Sequence, residues 1–162
     1  MADTTPIYLD EFKAMHPADL ADRLQRMPTE EARHLLAELP VDTASATLAE
    51  LEDEWIADLL EEFPQSKLVP LLNKMYAEEA ADVLGEIPEI DRARLLRKMG
   101  KQEAQAARDL LKYPEDTAGG IMNDRFVTLR SHHTVGDGLR RIRRKHREHS
   151  PSDINYLYVT DK

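Results

Sequence analysis

Cysteine is absent from the 162 residues of this chain, and long hydrophobic runs are absent as well. Without cysteine there is neither a disulfide framework nor a metal site built on thiolates. No stretch approaches the roughly 20 apolar residues that cross a bilayer. The N-terminal "MADTTPIYLDEF" has neither the basic region nor the apolar run of a signal peptide, so we expect a soluble chain.

Glycine is scarce before residue 119, where only Gly85 and Gly100 occur. The sequence therefore offers no glycine-rich phosphate loop, and it also lacks a nucleophile elbow and the paired histidines of zinc hydrolases. We do not predict an enzyme.

Charge is distributed unevenly along the chain. Residues 1–118 hold 26 acidic and 13 basic side chains, a net charge of −13, whereas residues 119–162 hold 5 and 9, a net charge of +4. A strongly negative surface repels phosphate, so the first segment is not expected to bind nucleic acid. A cation is its more natural partner.

Leucine recurs every twelve residues through the first segment. Three residues after each leucine stands a large apolar residue, and four residues before each stands Leu, Ala or Ile until Arg92 breaks the pattern. These offsets share one face of a helix, so each unit predicts a short amphipathic helix. The leucines are Leu24, Leu36, Leu48, Leu60, Leu72, Leu84 and Leu96.

These helices cannot join into one long helix. Twelve residues advance a helix by about three turns plus 120°, so its apolar stripe would rotate with every repeat. Pro28, Pro40, Pro64 and Pro88 interrupt the pattern, and Gly100 takes the same place. Three of the prolines are 24 residues apart, which indicates a repeating pair of helices. Helices this short are unstable alone, so they must stack as a right- or left-handed superhelix.

Glu78 and Asp82 are candidate ligands for a metal ion. They are four residues apart and project from the side of their helix opposite Ala80, Leu84 and Ile87. Mg²⁺ keeps much of its hydration shell and is bound by one or two carboxylates, which suits a weak site on an acidic face. The alternative is a solvent-facing acidic surface that keeps the array soluble.

The pair Gly119-Gly120 marks a change of pattern. Beyond it, "RFVTLR" and "NYLYVTD" read as strands, and Thr134 with Asp137 predicts a capping box for a helix between them. Strand, helix and strand cannot close a core, so this second unit looks incomplete.

The second helix is strongly basic. An arginine-rich helix suggests nucleic acid or a membrane surface, but the nearby acidic segment makes an electrostatic contact within the protein, or simple solvation, the preferred interpretation. His146 and His149 have metal-ligand spacing without an apparent third ligand. The basic residues are Arg140, Arg141, Arg143, Arg144, Lys145 and Arg147.

The helical repeats, then "YPEDTAGGIM", then "VTLRSHHTVGDGLRRIRR" and "YLYVTD", resemble the cytosolic part of MgtE-type magnesium transporters and channels. The resemblance implies a mainly α fold. Residues 1–118 would form a right-handed, α-solenoid-like superhelix of short helices, and residues 119–162 the incomplete start of the first of two α/β CBS domains. A membrane domain of five helices follows in that family.

The resemblance also implies a function as a Mg²⁺ sensor. In the family, Mg²⁺ between the acidic N domain and the CBS domains favours a compact arrangement that closes the pore. "YAEEAADVL" matches the acidic helix, which places Glu78 and Asp82 at ligand positions, and Gly120 matches a position whose carbonyl faces the ion. Glu50 is a further candidate, although Ala46 stands at the expected place.

The implied location is the cytoplasmic side of the cell membrane. The implied partners are Mg²⁺ and the CBS and transmembrane domains of the same protein, in a homodimer and without nucleic acid. One alternative is an ion-independent helical scaffold, from a soluble CBS-containing protein or a flagellar-motor-related one. A weaker alternative is a nucleic-acid binder that acts through the arginine-rich helix.

Overall fold

The structure, a computed structural model, describes Leu9 and residues 11–114, 116–120, 122, 126–145 and 156–161, with the side chains of residues 144 and 145 excepted. The chain divides into two compact units, Met1–Met122 and Asn123–Lys162. It is mainly helical, as predicted. No helix among the described residues is long and apolar enough to cross a membrane.

The first unit consists of short helices, and the second contains two strands and a helix. The helices of the first unit are α1 (Pro17–Leu24), α2 (Thr29–Glu38), α3 (Val41–Leu48), α4 (Asp53–Leu60), α5 (Gln65–Leu72), α6 (Ala77–Gly85), α7 (Glu89–Lys98) and α8 (Lys101–Leu110). The second unit contains β1 (Val127–Arg130), α9 (Val135–Lys145) and β2 (Leu157–Thr160).

The leucine repeat forms the core of the first unit. The first six leucines of the series, from Leu24 to Leu84, are all buried. At the seventh repeat Leu95 is buried instead, while Leu96 is only partly covered. Arg92 occupies the position that is apolar in the earlier repeats, and its guanidinium cannot be buried cheaply. Helix α7 therefore buries only Leu95, whose position is also buried in earlier helices as Leu59, Leu71 and Val83.

The prolines mark helix starts. Pro28, Pro40, Pro64 and Pro88 are the N-cap residues of α2, α3, α5 and α7, and Gly100 is the N-cap of α8. Proline has no backbone N–H, which costs little at the start of a helix because the N–H groups there have no partner within the helix. The predicted breaks between helices are confirmed.

Each helix packs against the second helix along the chain. The pairs are α1 with α3, α2 with α4, α3 with α5, α4 with α6, α5 with α7 and α6 with α8. The packing therefore repeats every two helices, in agreement with the 24-residue spacing of the prolines. The right-handed sense of the superhelix remains a prediction.

Side chains at the ends of helices form hydrogen bonds to the starts of later helices. The side-chain oxygen of Gln25, the C-cap of α1, accepts the N–H of Glu52 at 2.8 Å. The side-chain oxygen of Asn73, the C-cap of α5, accepts the N–H of Gly100 at 3.0 Å. Both bonds span 27 residues and satisfy the N–H of an N-cap residue. The same device thus recurs at two places in the array.

Arg33 joins α2 to α4. Its guanidinium donates to the carbonyl oxygens of Leu59 at 3.0 Å and Asp58 at 3.1 Å. It also forms salt bridges of 3.1 Å with Glu30 and Glu62, and only 14% of its side chain is exposed. The last carbonyls of a helix have no partner within the helix. Arg33 therefore caps α4 from a neighbouring helix.

The second unit has a parallel pair of strands with a helix between them in the sequence. Strand β1 pairs with β2 in the register Val127 to Leu157 and Arg130 to Thr160. Helix α9 packs on β1, and Gly138 is buried at that contact. The predicted order of strand, helix and strand is confirmed.

Helix α9 begins with the predicted capping box. Asp137 accepts the N–H of Thr134 at 2.8 Å and its hydroxyl at 2.7 Å, and the Thr134 hydroxyl accepts the N–H of Asp137 at 3.2 Å. The hydrogen bonds from Thr134, followed by that from Arg140, lower the pKa of Asp137 well below its ordinary value. The carboxylate therefore stays ionised and holds the start of the helix.

We predict that Arg33→Met destabilises the first unit by about 1–3 kcal/mol, because the half-buried carbonyls at the end of α4 lose a charged donor. Arg26→Met is the control, since Arg26 is 81% exposed and pairs with Asp22 at 3.8 Å. It should change stability by less than about 0.5 kcal/mol. Urea unfolding measures both. Equal losses in the two variants would show that Arg33 does not cap α4.

Gly136 and Gly138 allow a matched test of how closely α9 approaches the sheet. A Cβ atom on Gly138 would lie 3.0 Å from Leu129 Cδ1, whereas one on Gly136 meets nothing closer than 3.5 Å. Alanine favours the helix equally at both positions. We expect Gly138→Ala to leave β1 about 1 kcal/mol less protected in amide hydrogen exchange than Gly136→Ala. Equal protection would mean that Leu129 adapts without cost.

Candidate functional site

Helix α6 carries two of the predicted ligands. The Glu79 carboxylate accepts the N–H of Tyr76, the N-cap residue, at 3.1 Å. Ala80, Val83 and Leu84 are buried against the rest of the array. The buried face fixes the rotation of the helix and so decides where the remaining side chains project.

Glu78 and Asp82 differ in their surroundings. Asp82 is exposed, but Glu78 is only partly exposed and both of its carboxylate oxygens are hidden from solvent. Each of the two residues makes polar or electrostatic contacts. The expectation that both face solvent is therefore wrong for Glu78. A charge that loses water interacts more strongly with neighbouring charges, because less solvent screens it.

Glu86 follows Glu78 and Asp82 along α6, and we call these three acidic residues the acidic line. Glu86 was not among the predicted ligands. It is the C-cap of α6, lies four residues after Asp82 and is partly exposed. Residues four apart lie on one side of a helix. Its spacing from Asp82 was therefore the signal that could have found it in the sequence.

Gly120 ends a tight turn after α8. The hydroxyl of Thr117 donates to the carbonyl of Pro114 at 2.7 Å, and the N–H of Thr117 donates to the same oxygen at 3.1 Å. The N–H of Gly120 then donates to the carbonyl of Thr117 at 3.0 Å and to its hydroxyl at 3.2 Å. These bonds fix the turn through the N–H of Gly120, whereas the predicted ligand atom is its carbonyl oxygen.

Gly119 packs closely against the side chain of Tyr113. A Cβ atom at this position would lie 2.4 Å from Cδ1 of Tyr113 and 3.0 Å from Tyr113 Cβ. A side chain at this position would require the Tyr113 side chain, which is 48% exposed, to move. Glycine therefore lets the chain fold back against Tyr113 as it stands.

Glu50 does not lie on α6 but on an earlier part of the chain. It is exposed in the connection between α3 and α4, and its N–H donates to the carbonyl of Thr47 at 3.1 Å. Ala46 is exposed on α3. Glu78 and Asp82 share one helix, and the chain reaches Gly120 directly after α8, which packs against α6.

Metal-ligand clusters are absent from the part of the chain that the structure describes. No group of three or more His, Asp or Glu side chains there could hold a metal ion. His146 and His149 lie outside the described residues. The predicted ligands Glu78, Asp82 and Gly120 therefore do not form a complete coordination shell within the described residues.

Other acidic residues near this region are already neutralised. On α8, Asp109 accepts hydrogen bonds from Lys112 and from Gln105, the latter at 3.1 Å, and these bonds lower the pKa of Asp109. Asp91 of α7 pairs with Arg94 at 3.0 Å. These carboxylates have nearby cationic partners within the protein.

Comparison with known proteins gives the family. Residues 15–116 match the family model described as the MgtE intracellular N domain, which covers more than half of the chain. The chain is 33% identical over 148 residues to the magnesium transporter MgtE of Bacillus subtilis (strain 168). That alignment covers 91% of the chain but only 32% of the transporter.

Two solved structures have similar folds. The cytosolic domain of the Mg²⁺ channel MgtE in complex with ATP matches with a TM-score of 0.78 and 27% identity, over 95% of this chain and 62% of that one. The soluble part of a magnesium transporter matches with a TM-score of 0.75 and 25% identity, over 96% and 62%. The chain therefore belongs to the family of the MgtE intracellular N domain.

Proposed function

We propose that this chain is the Mg²⁺-sensing regulatory region of a magnesium transporter or channel. It acts on the cytoplasmic side of the membrane and is not an enzyme. Mg²⁺ binds between the acidic helices of the first unit and CBS domains of the same protein, and the ion favours the arrangement that closes the pore. The family and the named relatives support the link to magnesium transport.

The observation that carries this proposal is the acidic line on α6. Glu78 and Asp82 lie four residues apart on one helix, and Asp82 is exposed. Residues 1–118 have a net charge of −13. Such a surplus of negative charge repels itself, and a divalent cation relieves that repulsion.

Carboxylate side chains are suitable ligands for Mg²⁺. The ion demands octahedral oxygen ligands and gives up its waters reluctantly, so it is usually held by one or two carboxylates together with water. Glu78 and Asp82 would supply carboxylate oxygens, Gly120 a backbone carbonyl, and Glu50 a further carboxylate at a separate place. The remaining ligands would come from the CBS domains, of which residues 119–162 are the beginning.

The ion would act by shifting a population. A ligand changes a conformational equilibrium only as far as it binds one state better than the other. In the compact arrangement Mg²⁺ would contact acidic groups of two surfaces, and in the loose arrangement those of one surface only. High Mg²⁺ would therefore favour the closed pore, and low Mg²⁺ the open pore, in a homodimer of the full-length protein.

We predict that the 162-residue chain binds Mg²⁺ only weakly, near the millimolar range, because one surface supplies few ligands. In a titration followed by ¹H–¹⁵N NMR, amide shifts should concentrate on α6 and around Gly120. The double variant Glu78→Gln with Asp82→Asn should abolish them. Glu54→Gln with Asp58→Asn is the control, since it removes two exposed carboxylates with the same spacing from α4.

Three results would contradict the prediction. Shifts that depend equally on both double variants would indicate a diffuse ion atmosphere around an acidic protein. A complete absence of shifts on α6 would favour an ion-independent helical scaffold. Binding in the micromolar range would show that the chain holds a complete site of its own.

The gating role is tested in the transporter that carries this chain. In proteoliposomes, raising Mg²⁺ on the cytosolic side should shut the parent pore. The Glu78→Gln, Asp82→Asn transporter should stay open at the same concentration, because the closed state has lost ligands. The Glu54→Gln, Asp58→Asn control should close as the parent does. Identical closure of all three would remove α6 from the mechanism.

A further inference from the structure

A groove lies between the α4–α5 and α6–α7 parts of the first unit. Its volume is about 560 Å³, within the range of ligand-binding clefts. The largely buried side chains of Leu60, Phe63 and Ile87, 5–8% exposed, form its apolar base, and the exposed residues Ala57 and Pro88 also line it. The groove contains none of the four predicted metal positions Glu50, Glu78, Asp82 and Gly120.

The groove arises where the repeat is least regular. Helix α7 buries only Leu95, whereas α6 buries four residues. Arg92 stands where the earlier repeats place an apolar residue, and it donates to the carbonyl of Leu84 at 3.5 Å. Helix α7 therefore contributes little to the core beside the groove.

The rim of the groove is acidic. Asp58 and Glu61 stand on the α4 side, and Glu86 and Asp91 on the opposite side, where Asp91 is paired with Arg94 at 3.0 Å. None of the described residues that line the groove is Lys, Arg or His. Asp58 and Glu61 are exposed, three residues apart, and their charges therefore act on whatever enters.

We propose that this groove binds a basic amphipathic helix of a partner protein. Apolar side chains of such a helix would enter the base, as in other complexes of a helix with a groove. Its Lys and Arg side chains would lie against Asp58 and Glu61, and the acidic rim repels acidic segments and nucleic acid. Charge complementarity, together with the exposed apolar residues Ala57 and Pro88 of the lining, selects this occupant.

The test measures binding of a fluorescent amphipathic peptide of leucine and lysine by anisotropy, at an ionic strength of about 0.15 M to screen long-range attraction. Asp58→Asn with Glu61→Gln should weaken binding about tenfold. Asp19→Asn with Asp22→Asn removes two exposed charges with the same spacing from α1 and should leave affinity unchanged.

A steric variant tests the groove independently of charge. Ala57→Trp should fill it and weaken binding about tenfold, whereas Ala46→Trp, at an exposed alanine of α3, should not. Circular dichroism checks that each variant is folded, and the charge variant decides the matter if Ala57→Trp is not.

Three results would overturn the proposal. The first is equal loss in both charge variants, which would mean that the peptide responds only to the net charge of the protein. The second is unchanged binding in both groove variants. The third is equal affinity for a peptide whose leucines are replaced by serine, or for spermine, which would show that any polycation suffices.

Discussion

The packing of each helix against its second neighbour is the interaction on which the rest of this structure depends. Helices of eight to ten residues are too short to persist in water, so their stability comes from the apolar face that they bury. Each buried leucine contributes about 1.5–3 kcal/mol, and six of them recur at a spacing of twelve. Because contacts run between second neighbours, the two-helix unit is the true repeat, and the ties from Gln25 to Glu52 and from Asn73 to Gly100 recur with it.

The acidic surface is what this packing leaves outside. Once the buried face of α6 is fixed by Ala80, Val83 and Leu84, Glu78, Asp82 and Glu86 must lie on the other sides of the helix. Several carboxylates elsewhere are neutralised within the chain: Glu30 and Glu62 meet Arg33, and Asp109 meets Lys112. The surplus of negative charge is thus a property of particular surfaces.

Regular features were predictable because they follow from local rules. The leucine repeat, the proline breaks and the Thr134 and Asp137 capping box depend on a few neighbouring residues and a helical period. The partial exposure of Leu96 was not predictable, because it reflects how α7 packs within the array. The shielding of Glu78 and the capping role of Arg33 could not be predicted from the sequence for the same reason, since both depend on contacts with other parts of the fold. The candidate residues on α6 could be named from spacing and resemblance, but their different exposure could not.

The sequence by itself determined the helical repeat, its period, the division of charge between the two segments and the change of pattern at the double glycine. Each of these is written in the order and spacing of residues. Only the tertiary structure decided that Gly119 is glycine because the ring of Tyr113 packs against it, that Arg33 caps a helix far along the chain, and that an acidic groove opens beside α7. These features depend on distances between residues that are remote in the sequence, and such distances are set only when the helices pack.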